Sequence, residues 1–201
     1  MHFLVLTDLR VHGLAGTQLC DWISCVRTEP RADENASMLK KNDCKPGQGG
    51  DALRAENDKL LPLYCEMDGL FPSVYQFYNS MDPAKTPAQQ AATRASNAAY
   101  VFSMVSEAVR LQRLAAANCS VRTSMLRKVY AYTWHRYHDG KSFLSSSDLK
   151  LSFEQAYLAG ADANVMWGSE PKTMPQFETW YRNTYAPIVN QWTPPALRSL
   201  Q

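Results

Sequence analysis

The feature that most constrains this chain is a helix-forming stretch from Ala88 to about Asn118, lying between two β-type runs, LFPSVY at 70–75 and KVYAYTW at 128–134. A tight turn joins antiparallel strands, whereas a connection this long carries the chain back to begin the next strand in the same direction. The pattern then repeats. Helices are predicted from Ser145–Asp148 to Ala159 and from Pro175 to Val189, and ANVMW supplies a third strand within Asp162–Trp167. A short helix over Asp58–Asp68, with Pro62 near its start, feeds the first strand, Leu70–Gln76. HFLVL at 2–6 is a candidate fourth strand. Strands alternating with helices predict an α/β fold with a mainly parallel sheet.

Local signals mark the ends. Thr86 before Pro87 is a helix cap, Asp148 places an acid in a first helical turn, and Gly160 is a C-terminal stop. On the long helix, Ala95, Ala98, Ala99, Phe102, Val105, Val109 and Leu114 can share one face at spacings of three and four. Residues 27–55 are polar, include KPGQGG, and read as a surface loop.

Several function classes are excluded or disfavoured. No strand is followed by GxGxxG or GxxxxGK[ST], which disfavours the usual nucleotide sites. The net charge of +2 and the scattered Arg94, Arg110, Arg113, Arg122, Arg127 and Lys128 read as solvated surface, and no nucleic-acid partner is expected. No apolar run approaches the roughly 20 residues of a membrane span. MHFLVL is interrupted by Asp8 and Arg10, a poor secretory leader. Cys20, Cys25, Cys44, Cys65 and Cys119 form no CxxC pair, and the four histidines lack ligand spacing, so no metal site is expected. Cys65 and Cys119 read as small buried apolar residues, and His135 and His138 as solvated loop histidines. Asn35-Ala-Ser and Asn118-Cys-Ser are candidate glycosylation sites.

Each strand closes in aromatics: Tyr75 on the first, Tyr132 and Trp134 on the second, Trp167 on the third. In a (β/α) barrel these ends build the active site. Aromatic walls there can stack on sugar rings, and a phenol can also donate a hydrogen bond.

Three ordered segments resemble the hyaluronidase family of glycoside hydrolases, venom type: ENDKL…LFPSVY at 56–75, VYAYTWHRY at 129–137 and DLKLSFEQAYLAGADANVMWGS at 148–169. EAVR at 107–110 fits the family's intervening helix. The resemblance covers about residues 55–190, the C-terminal half of a family barrel, and implies a partial TIM-like (β/α) barrel of three to four units. It divides the chain into a divergent segment with a disulfide loop, 1–54, and the half-barrel, 55–201. It implies an endo-β-N-acetylhexosaminidase acting on hyaluronan, with chondroitin as a further substrate, in a secreted or lysosomal protein without cofactor. The family's acid is a glutamate, and the substrate's acetamido oxygen is the nucleophile. The substrate-binding positions fall on Tyr75, Tyr132, Trp167 and Ser169. A disulfide ahead of the END segment implies pairing of Cys44 with Cys25 or Cys20. The family's second bridge would use a position occupied here by Met174.

The family's Asp-x-Glu acid/base strand is not found. Asp33-Glu34 lies in polar RADENAS, Glu56 and Asp58 belong to END, and Glu66 precedes Asp68 on a helix. Three readings stay open: a hydrolase whose acid-bearing half is absent from this chain, a glycan-binding paralogue that does not cut, and an inactive fragment.

Overall fold

The computed structural model describes residues 2–5, 50–67, 69–119, 128–138, 140–168 and 174–192. The expectations for Cys20, Cys25, Cys44, Asp33, Glu34, Asn35, Asp68 and Ser169 fall outside them. The strands are β1 (His2–Val5), β2 (Gly69–Leu70), β3 (Lys128–Trp134) and β4 (Ala163–Trp167). The helices are α1 (Gly50–Lys59), α2 (Leu61–Cys65), α3 (Pro87–Asn118), α4 (Ser146–Leu158), α5 (Met174–Trp180) and α6 (Ala186–Trp192), with a π-helical turn over Tyr181–Tyr185 between the last two. The sheet has the order β1-β4-β3-β2 and all its pairings are parallel. This is the α/β arrangement that the alternation predicts.

The capping residues act as the sequence implies. Thr86 Oγ1 accepts from Gln89 N while Gln89 Oε1 accepts from Thr86 N, a reciprocal box that starts α3 with Pro87 in its first turn. Ser145 Oγ accepts from Asp148 N at the start of α4. Gly160 has φ +97°, which a side chain would strain.

Other expectations change. The helix predicted over Asp58–Asp68 starts earlier, at Gly50, and breaks at Leu60 into two. The strand predicted over Leu70–Gln76 pairs continuously only through Leu70. Proline has no N–H, so Pro72 can only accept: Tyr132 N donates to Pro72 O at 2.9 Å, and Val74 N returns a bond to Tyr132 O at 2.9 Å. The pairing therefore continues as a bridge at Ser73 rather than a full strand. On α3 the expected face is right at Val105 and Val109, which are buried, and in part at Ala98 and Leu114, while Ala95, Ala99 and Phe102 are exposed and Asn97, Val101, Met104, Ala108, Leu111 and Ala115 are buried instead. The larger Val101, Met104 and Leu111 bury more apolar area, and each contributes about 1.5–3 kcal/mol.

Val129 and Ala131 of β3 pack with this α3 face, with Tyr64 and Leu70, into one core. A second core gathers Leu144, Leu149, Phe153, Met166, Trp180, Tyr185 and Ile188 between α4, β4 and the last helices. Cys65 and Cys119 are not separate apolar fillers. They form a disulfide that ties the end of α2 to the residue after α3, with Cα atoms 5.5 Å apart.

Candidate functional site

In parallel strands, residues in register point to the same face. Tyr130 pairs with Ala163, Tyr132 with Val165 and Trp134 with Trp167. That face therefore presents Tyr130, Tyr132 and Trp134 beside Ala163, Val165 and Trp167, while Val129, Ala131 and Thr133 turn toward the helices. Phe71 stacks on Tyr130 with centroids 5.2 Å apart. One step toward the strand ends, Tyr75 lies parallel to Trp167 at 6.4 Å, and stands 6.5 Å from Tyr132 and 6.1 Å from Trp134. Tyr132 and Trp167 are 6.1 Å apart. The three sequence-selected aromatics thus meet in one cluster, and Trp134 joins them. Tyr75, Trp134 and Trp167 are partly exposed, and Tyr132 is 9% exposed. Flat walls reachable from solvent, together with phenols and an indole, form a surface that fits the face of a sugar.

A buried polar network holds Tyr75 in place. The next residue, Gln76, donates through Nε2 to Asp148 O at 2.7 Å and to Ser152 Oγ at 2.6 Å, and accepts from Asn97 Nδ2 at 3.1 Å. The Asp148 carboxylate accepts from Tyr137 OH at 2.6 Å, Ser80 N at 2.9 Å and Ser145 Oγ at 3.1 Å. Burial, then the bond to Asp148, raises the Tyr137 phenol above its ordinary pKa. The phenol is the donor in this bond, and the shift keeps it so further into the alkaline range. The sequence marks Asp148 as a first-turn acid. Its buried partners come from residues 80 and 137, which periodicity along one helix does not reveal.

His135 corrects the solvated-histidine expectation. It is 2% exposed, packs against Phe143, Phe177 and Trp180, and its Nδ1 lies 3.3 Å from Trp167 O. His138 is exposed and stacks on Phe77 at 4.7 Å. Gly168 follows Trp167 and leaves no room for a side chain. A Cβ there would collide with the His135 ring and lie 2.9 Å from Trp134 Nε1.

The candidate acids that are described sit elsewhere. Glu56 pairs with Lys59 on exposed α1, and Glu66 is exposed at the end of α2. Asp58 binds Arg110 at 2.7 Å. Arg110 also bonds both oxygens of fully buried Glu107, which accepts from Asn57 Nδ2 at 2.9 Å. These bonds, that to Glu107 foremost, raise the guanidinium's pKa despite burial. The END and EAVR motifs therefore meet as a structural lock between α1 and α3. Arg110 is consequently not a freely solvated cation. Among the described residues, no group of three or more His, Cys, Asp or Glu could hold a metal ion, and no helix is long and apolar enough to cross a membrane.

A family model described as hyaluronidase matches residues 33–184. Hyaluronidase of Apis mellifera is 29% identical over 143 residues, covering 68% of this chain and 32% of that protein. Inactive hyaluronidase B of Vespula vulgaris is 30% identical over 126 residues, covering 62% of this chain and 31% of that protein. The crystal structure of bee venom hyaluronidase in complex with a hyaluronic acid tetramer superposes with a TM-score of 0.56 at 27% identity, over 73% of this chain and 42% of that one. The chain spans about a third of the length of the curated relatives it matches.

Proposed function

The chain belongs to the hyaluronidase family, and from that premise we propose that it carries the sugar-binding wall of a hyaluronidase-type site whose ligand is a glycosaminoglycan. The observation that carries this reading is the cluster of Tyr75, Tyr132, Trp134 and Trp167 on one face of the sheet, at the strand ends. We place this face on the inside of a partial (β/α) barrel, with 55–201 as its unit. The candidate ligands are hyaluronan, a tetramer of which the bee venom relative holds, and chondroitin. Tyr75 and Tyr132 would hold the acetamido group of an N-acetylhexosamine, Trp167 would cover the sugar face, and Ser169 would contact it beyond Gly168. Holding that oxygen at the anomeric carbon is an orientation effect, and the family's substrate-assisted hydrolysis depends on it.

Hydrolysis also needs an acid for the leaving oxygen. The described candidates Glu56 and Glu66 are exposed on α1 and at the end of α2, while Asp58 is held by Arg110. The reading for these 201 residues acting alone is therefore glycan binding without cleavage. A secreted location accords with the Cys65–Cys119 bridge, because disulfides persist in oxidising compartments. A second bridge from Cys44 to Cys25 and a glycan at Asn35 belong to the same proposal.

The test is titration of the purified chain with hyaluronan oligosaccharides, followed by tryptophan fluorescence, beside a depolymerisation assay and a thermal melt. Binding without chain cutting is expected. Trp167→Ala should weaken binding by about 3- to 10-fold, from the ~0.5–1.5 kcal/mol of an aromatic pair, and leave a cooperative melt. Unchanged affinity with lost stability would make Trp167 a core residue. Cleavage by the wild-type chain would mean that a carboxylate here serves as the acid.

A further inference from the structure

The sequon at Asn118 overlaps the disulfide, because Cys119 is its middle residue. The reactive atom of a sequon is Asn Nδ2, and Asn118 Nδ2 donates to Leu114 O at 2.8 Å, a carbonyl in the last turn of α3. Cys119 N donates to Ala115 O at 2.9 Å, and Cys119 Sγ is bonded to Cys65. Asn118 is itself exposed, so crowding is not what protects it. What binds it is the anchoring of its own side chain and of its neighbour. Ala116 and Ala117 are exposed as well, so without the bridge the last turn is held by buried Ala115 and partly buried Leu114 and Cys119 alone.

We propose that the Cys65–Cys119 disulfide withholds Asn118 from N-glycosylation, so that the sequon is read only while Cys119 is a free thiol. A glycosyl-transfer enzyme must lift Asn-X-Ser out of the chain into its own groove, in a turned conformation that brings the serine hydroxyl toward the asparagine amide. A helix-terminal asparagine, with its amide nitrogen on Leu114 O and its neighbour pinned to α2, is lifted only by opening the last turn of α3, which the bridge resists. The two reactions differ in what they consume. Bridge formation takes two thiols and a disulfide-bearing oxidoreductase. Two thiol–disulfide exchanges pass two electrons to that enzyme, which leaves as a dithiol. Glycosylation takes a polyisoprenyl-pyrophosphate oligosaccharide. Asn118 Nδ2 attacks its anomeric carbon, the C–O bond to pyrophosphate breaks, and the amide proton is lost to a base of the transferase. Cys65 precedes Cys119 by 54 residues, so during synthesis the partner thiol is already present when the sequon emerges. The outcome is set by whether α3 docks before the transferase acts.

This rests on entry into a secretory pathway. The test supplies that entry with a fused leader, so its failure speaks to the gate and not to the natural route. Wild type and Cys65→Ser are expressed in a eukaryotic secretory host, each also with Ser120→Thr to strengthen the acceptor. Asn118 occupancy is read by peptide mass spectrometry, with Asn118→Gln as the blank. Cys65→Ser should raise occupancy several-fold in both backgrounds. A brief dithiothreitol pulse during synthesis of the wild type should do the same. Leu111→Ala destabilises the same helix with both cysteines in place, and should stay well below the Cys65→Ser level. Equal occupancy in wild type and Cys65→Ser, or a rise in Leu111→Ala that matches it, would overturn the proposal.

Discussion

The two ends of the sheet are built from different chemistry. Where the strands begin, contacts are covalent or ionic. The disulfide lies between the chain entering β2 and the chain leaving α3 for β3, and Asp162 ahead of β4 accepts from Val129 N at 2.9 Å and Lys128 Nζ at 2.8 Å. The END–EAVR lock fastens α1 to α3 through a carboxylate with no exposure. Where the strands end, the solvent-facing contacts are rings 6.1–6.5 Å apart and partly open, and the buried Gln76–Asp148–Tyr137 network stands behind them as their support. Short bonds to buried charges specify one arrangement and tolerate little substitution. Ring contacts at these separations leave faces that a ligand can share. The beginning of the sheet holds the chain together so that its far end can stay unfilled.

This contrast can be broken. The largest effect is expected for Glu107→Ala, which removes the acceptor shared by Arg110 and Asn57, leaving Arg110 with Asp58 alone and the buried Asn57 amide without that bond. Hydrogen bonds to a charged group contribute about 1.5–3 kcal/mol each, and the loss is measured by urea denaturation, with hyaluronan affinity of the folded fraction unchanged. A change in affinity with little loss of stability would move the lock into the binding site. Next comes Gly168→Ala. Overpacking costs about 1–3 kcal/mol, and because the new methyl meets His135 and Trp134 the ring cluster must shift. Affinity should therefore fall more than for any other change of comparable cost in stability. A variant of ordinary affinity would show that the cluster adjusts freely.

The smallest effect is on pH dependence. Burial, then Glu107, pushes the Tyr64 phenol up from 10.0 to about 12. The folded state then holds its proton where the unfolded state has lost it, so stability is complete below pH 10 and falls as pH rises from 10 through 12. Tyr100 and Tyr185, raised by burial, act in the same direction. The melting temperature should stay level to about pH 9 and then drop, and Tyr64→Phe should flatten that drop. An alkaline slope unaltered in Tyr64→Phe would assign it to other groups.

How much of this the sequence discloses depends on the range of the interaction. β3 occupies Lys128–Trp134 as its composition implies, and α3 begins at Pro87 because Thr86 and Gln89 form a local box. Tyr75, Tyr132 and Trp167 are legible as a group because strand ends in a parallel sheet converge. The helix at Gly50 is not, since two glycines and a polar surface hide it. On α3, Val105 and Val109 are legible as buried, but the rest of the face is misplaced when small alanines are weighed equally with Val101, Met104 and Leu111. Gln76 with Asp148, Asn57 with Glu107 and Cys65 with Cys119 are separated by 72, 50 and 54 residues. No window along the chain contains both members of any of these pairs. Gly168 is explained by His135 and Trp134, which reach it from the end of β3, more than 30 residues away.

The π turn over Tyr181–Tyr185 has a consequence for counting. In an unbroken α-helix, five steps turn a side chain by about 140° net, so Trp180 and Tyr185 would face apart. Here both are buried with Ile188 in one core, their rings 5.8 Å apart, because the widened turn holds about one residue more. The segment acts as a phase corrector, adding one step so that everything after it meets the core at the right angle. What the core reads there is the number of residues more than their identity. Removing one would rotate Ile188 and Val189 off their packing, whereas exchanging exposed Arg182 or Asn183 would leave the phase intact.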